Sequence, residues 1–218
     1  MNRSSKWFMV FIAVLLCLMV TACSPTGSSS QKPSPSNSQE AESNQKTKLV
    51  DPNRAVVDLG SEVLQALKNN NMAVLSKCVH PDKGLRFTPY SHVDVKKDKV
   101  FTREQVGNFG SDKTKYVWGE FDGSGAPIAL TPLEYLKKFG YTADFLNAKQ
   151  ISVNKILGTG NTLENQFEVY PNAKIVEYHF PEIDPKYAGQ DWQSLRLVFE
   201  KTGGEWLLVG IMHNQWTI

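Results

Sequence analysis

Two alternating apolar segments close the chain, and they constrain it more than any other feature. Ser194-Leu195-Arg196-Leu197-Val198-Phe199-Glu200 is followed after a short break by Glu205-Trp206-Leu207-Leu208-Val209-Gly210-Ile211-Met212-His213. Side chains on a strand alternate between faces, so the two segments read as a hairpin. If Lys201 to Glu205 is the loop, Leu195, Leu197 and Phe199 lie opposite Ile211, Val209 and Leu207 and share a face with them. A slip of one residue would mix the faces, so the pattern itself argues for this register. His213 then joins the apolar face. Arg196 falls on the other, where truncation is expected to cost under about 1 kcal/mol unless that face is also covered.

Helices come first. Asp51 is a candidate cap and Pro52 a candidate first helical residue. Val56, Leu59, Gly60, Val63, Leu64 and Leu67 follow as an apolar stripe, stopped by Asn69-Asn70-Asn71. A short second helix is expected over 72–79. Thr102-Arg103-Glu104-Gln105 is a capping-box pattern, and Thr131-Pro132-Leu133-Glu134 starts another helix that Gly140 can end. Strands are expected at 85–90, 115–121, 127–130, 150–157, 174–180, 194–200 and 205–213. Helices followed by a long antiparallel sheet give an α+β domain over 49–218.

On the elements within Ala55 to Val79 and Leu195 to Trp216, this order resembles the nuclear-transport-factor-2-like (cystatin-like) cone fold. The resemblance implies N-terminal helices packed on a curved antiparallel sheet, with a pocket between them. Val79-His80-Pro81, Arg86-Phe87-Thr88-Pro89-Tyr90, Trp118-Gly119, Asp122-Gly123-Ser124-Gly125 and the run Asp191 to Glu200 also resemble uncharacterised lipoproteins of Gram-positive bacteria. That likeness implies no activity.

The first 48 residues have a different character. Arg3 and Lys6 precede a 14-residue run without charge, Trp7 to Val20. As a helix that run would be about 21 Å long, short of a bilayer core of about 30 Å and suited to a signal-peptide core. Val20-Thr21-Ala22-Cys23 follows, and it resembles the lipobox of bacterial lipoproteins. The resemblance implies cleavage after Ala22, diacylglyceryl and acyl chains on Cys23, and attachment to the extracytoplasmic face of the cell membrane. Residues 1–22 are thus read as signal peptide. Residues 24–48 hold eight Ser, three Pro and one apolar side chain, Ala41, too little to offset ordering entropy. With Cys23 they read as a lipidated, disordered tether.

Cleavage would remove Arg3 and Lys6 from 24 basic residues and leave 22 against 22 acidic ones. A neutral mature chain has no nucleic-acid footprint. Cys78 would be its one free thiol, so no internal disulfide is expected.

Motifs of catalysis are absent. His80-Pro81-Asp82-Lys83 is the motif of J-domain co-chaperones, but a strand follows where a helix belongs, so it reads as a turn. Glu120, Asp122, Ser124 and Gly125 imitate half of a calcium loop, yet Thr131 stands where a bidentate Glu is needed. The four histidines, His80, His92, His179 and His213, have no metal spacing. No cofactor, metal or catalytic residue is assigned. Phe87, Tyr90, Trp118, Tyr178, Trp192 and His213 are the candidates to line or rim a cone pocket, with His213 as either an orienting group or a core histidine. The favoured function is a membrane-tethered, non-enzymatic module for an unknown ligand or envelope protein. The alternatives are a small-molecule enzyme using an Asp or His in the cone, and an envelope structural or assembly factor.

Overall fold

The computed structural model describes residues 51–217. The signal-type run, Ala22, Cys23 and the Ser-rich stretch lie outside the described residues.

Helix α1 (Arg54–Lys68) starts two residues later than its Asp51-Pro52 signal. Asp51 instead folds the turn before it: its carboxylate accepts from Asn53 N at 2.9 Å and its carbonyl from Arg54 N at 2.9 Å. The expected stripe is buried, through Val56, Gly60, Val63, Leu64 and Leu67. Gly60 has a packing reason: a Cβ there would lie 2.2 Å from the Tyr178 hydroxyl oxygen. In α2 (Met72–Cys78) the Asn71 side chain accepts from Val74 N.

The strands are β1 (Leu85–Thr88), β2 (Lys99–Phe101), β3 (Tyr116–Glu120), β4 (Pro127–Leu130), β5 (Gln150–Val153), β6 (Lys174–Phe180), β7 (Gln193–Thr202) and β8 (Glu205–Gln215). Six of them form one sheet in the order β2-β1-β8-β7-β6-β5, while β3 and β4 pair only with each other. Both capping boxes form. One starts α3 (Arg103–Gly107); the other starts α4 (Pro132–Tyr135), which runs on as a wide turn over Leu136–Gly140.

The sheet is not wholly antiparallel, as the sequence led us to expect. β1 runs parallel to β8, with Phe87 beside Ile211. The two strands come from opposite ends of the domain, so no tight turn forces an antiparallel match.

The closing hairpin also differs from its expected register. Thr202 pairs with Glu205, leaving Gly203-Gly204 as a two-residue turn. Both have positive φ, 56° and 92°, a backbone that glycine adopts without steric cost. Phe199 then pairs with Leu208 and Val198 with Gly210, so Val209 is the extra residue of a bulge. Past the bulge Leu197 faces Ile211 and Leu195 faces His213. Leu195, Leu197, Phe199, Leu208 and Ile211 join the main core. Val209 instead joins Val198 and Met212 in a second cluster, and Leu207 is half-buried. The expected faces were therefore right for His213 and Ile211 and wrong for Leu207 and Val209.

The main core lies between the sheet and the helices, with Phe87, Phe101, Phe109, Trp118, Tyr135 and Phe139 at one end. The opposite sheet face is covered too. Arg196 is 1% exposed there, which removes the condition on which its truncation was expected to be cheap.

Candidate functional site

The open site lies where the loop after β1 meets the β3–β4 hairpin. Asp94 shapes that loop: its carboxylate accepts from Lys96 N at 3.0 Å and Lys97 N at 3.1 Å, and its carbonyl from Asp98 N at 2.9 Å. The chain then delivers Asp98 back to β1, where the buried Thr88 hydroxyl donates to its carboxylate at 2.6 Å. Burial pushes Asp98 up to about 6, only partly offset by the Thr88 hydrogen bond and the Arg86 charge. Tyr90 ties the loop to the hairpin, its hydroxyl oxygen accepting from Asp122 N at 3.1 Å. Gly119 lets the hairpin close in: at φ 147° its missing Cβ would lie 3.2 Å from Pro89 Cγ.

Between these segments is a groove with a cavity volume of about 470 Å³, lined by Tyr90, His92, Asp98, Lys96, Lys97, Lys99, Val117 and Glu120 among others. A second recess of about 360 Å³ shares Tyr90, His92 and Glu120 and adds Asp122 and Thr162. The groove is of ligand size. A desolvated carboxylate on the wall of a cleft is the kind of group that marks a functional site.

The six residues expected to line a cone pocket do not gather around an opening. Phe87 meets Trp118 edge-on at 5.5 Å, and Trp118 stacks on Tyr135 at 3.9 Å while its Nε1 donates to Leu130 O at 2.8 Å. Tyr178 is 1% exposed and abuts Gly60. His213 is fully buried, edge-on to Phe139 at 5.8 Å, with Nε2 3.1 Å from Gln215 Oε1. Burial pulls its pKa down to about 4, so it is a neutral core histidine. Trp192 is half-buried on the other sheet face, 6.0 Å from the His179 ring. Of the six, Tyr90 alone reaches the groove.

The sequence patterns assign no element or motif to Lys96–Lys99, and Asp98 is not among the candidates they yield. No local signal could have found it, because the fold around it produces the burial. The sequence placed Arg196 on the outer sheet face but gave it no partner there. Glu177 and Arg196 are direct partners across β6 and β7, and a charge at the centre of each strand was the available signal. The Glu177 carboxylate accepts from Leu157 N at 2.9 Å and Gly158 N at 3.0 Å. Its Oε2 lies 3.2 Å from Arg196 Nε without hydrogen-bond alignment. Arg196 Nη1 donates to Glu164 at 2.5 Å, and Nη2 to Gly158 O at 2.7 Å. These bonds strap residues 157–164 across the sheet. Gly158 has no room for a side chain, since a Cβ would lie 2.5 Å from Ser194 Oγ and 2.8 Å from the Trp192 ring. Ser194 Oγ is 2.8 Å from His179 Nδ1, but Ser194 is wholly buried beneath the strap and out of reach of a substrate.

The remaining candidates are structural. His80 Nδ1 accepts from Asp82 N and Lys83 N, which makes His-Pro-Asp-Lys a turn. Burial raises the Cys78 thiol to about 11, leaving it a poor nucleophile. Among the described residues no cluster of three His, Cys, Asp or Glu could hold a metal ion.

No family model matches the chain, and no curated protein does. Solved structures do. A Xanthomonas campestris protein described as a candidate calcium/calmodulin-dependent protein kinase II association domain is 15% identical, with a TM-score of 0.35 over 76% of this chain and 89% of its own. A DUF4783 family protein from Bacteroides ovatus is 9% identical, with a TM-score of 0.33 over 72% and 94%. A nuclear-transport-factor-2-like protein of unknown function from Shewanella oneidensis is 12% identical, with a TM-score of 0.33 over 75% and 99%. At such scores these likenesses carry no argument about this chain.

Proposed function

We propose that the chain is a lipoprotein held to the extracytoplasmic membrane face through Cys23, and that its domain is a binding module that takes its ligand in the groove beside Asp98. The observation that carries the second half is the contrast between two regions. The space around His213 is filled by Phe139, Leu195 and Gln215, whereas the cleft between residues 89–99 and the β3–β4 hairpin is open. An enzyme working on His213 from within a cone has no support from that packing. Helices over one face of the sheet support the nuclear-transport-factor-2-like reading of the fold. The charge-free run and Val20-Thr21-Ala22-Cys23 support the anchor, since two or three acyl chains hold a protein stably where one does not.

Each half has its own test. Cys23→Ser should abolish fatty-acid labelling and release the protein from membranes; labelling that persists overturns the anchor. A small-fragment screen followed by amide chemical shifts should map hits to residues 89–99 and 116–127. Hits that map only elsewhere overturn the groove.

A further inference from the structure

The groove carries a net charge of opposite sign on its two sides. On the loop side stand Lys96, Lys97 and Lys99. Two carboxylates share that side, Asp94 accepting from backbone N–H groups of its own turn and Asp98 from the Thr88 hydroxyl; set against three ammonium groups, they leave it a net positive charge. On the hairpin side stands Glu120, with Asp122 in the adjoining recess. Among the described residues, neither the three lysines nor these two acids enter an ion pair. Where the sides meet, the surface is Pro89, Tyr90 and Gly119, with little polar side chain.

Such a cleft discriminates against singly charged ligands. A simple anion drawn to the lysines meets Glu120 and Asp122, and a simple cation drawn to the acids meets the lysines. A molecule with both charges a few ångströms apart satisfies both sides at once. We propose, on the reading that this groove is the binding site, that its ligand is a short zwitterion of the amino-acid or peptide class. The carboxylate lies toward Lys96, Lys97 and Lys99, and the ammonium toward Glu120 and Asp122. The volume of about 470 Å³ admits a few residues. Each pair is solvent-exposed, so affinity is modest and falls with salt.

The test titrates the full chain in detergent with trialanine and with its N-acetyl, C-amide and doubly capped forms. Trialanine should bind, and each single cap should weaken it roughly three- to tenfold, the loss expected for one or two exposed ion pairs. Free alanine against trialanine separates an amino-acid from a peptide source. Glu120→Lys should invert the preference, so that N-acetyl-trialanine binds better than trialanine. Val117→Trp, a substitution at a half-exposed position on the groove wall, should weaken every form while the melting temperature holds. Equal binding of capped and free peptide, or no binding of trialanine, overturns the zwitterion. If fragments still map to residues 89–99 and 116–127, the groove survives that failure. If peptide binds but Val117→Trp leaves it unchanged, the groove itself is overturned.

Discussion

Arg196 concentrates the energetics of a single residue. It is 1% exposed, and it holds Glu164, Glu177 and the Gly158 carbonyl together. A buried pair can be worth little compared with an apolar replacement, but deleting one partner strands the other charge and typically costs 3–5 kcal/mol. Here two carboxylates would be stranded. Arg196→Ala should therefore lower the unfolding free energy by at least about 3 kcal/mol in denaturant titration, and a loss below about 1 kcal/mol would refute the network. The alternation of β7 states which face Arg196 takes; it is silent about residues 157–164, which lie across that face. Asp98 teaches the same lesson from the ligand side. Tyr90 was legible as an aromatic near the site, whereas Asp98 became distinctive only when the fold desolvated it.

At the scale of the element, the closing hairpin is set by its turn and its bulge. The Gly203-Gly204 turn lengthens both strands, and the extra residue at Val209 moves Leu208 into the core in place of Leu207. Truncating a buried leucine usually costs 2–5 kcal/mol, from lost transfer energy plus the cavity left behind. Leu208→Ala and Leu197→Ala should each fall in that range, whereas Leu207→Ala should cost about 1 kcal/mol or less. Thermal unfolding of the three variants reads the register directly; equal losses at Leu207 and Leu208 would remove the bulge. Most other elements were legible because their signals are local. The strand over Lys174–Phe180 and both capping boxes stand where sequence patterns put them.

Across the whole molecule, two buried groups oppose each other in acid. His213 is held at about 4, below its ordinary 6.5, so the unfolded chain takes the proton first. Its contribution is complete above pH 6.5 and is lost as pH falls toward 4. Asp98 is raised to about 6 from 3.8, so the folded chain takes the proton first, and stability is gained as pH falls through 6 toward 4. The fully buried histidine carries about 3 kcal/mol. Asp98 stands at an open groove, and solvent screening cuts its share to about 1 kcal/mol. The net expectation is destabilisation between pH 6.5 and 4. His213→Gln should flatten the fall in melting temperature, and Asp98→Asn should steepen it. Identical slopes in all three proteins would show that neither group is perturbed.

The sequence by itself determined where most helices and strands run, though not β2, and it determined how the helices with capping boxes begin, which stripe of α1 is buried, and that His213 faces inward. Those properties depend on neighbours a few residues apart, through alternation, helical spacing and capping. The tertiary structure alone decided that β1 runs parallel to β8, that Arg196 is covered, that the interior at His213 is filled, and that the open cleft lies beside Asp98. Each of these depends on which distant segment comes to rest on a given face. Burial is a property of the pair of surfaces that meet, and a strand's own pattern describes only one of them.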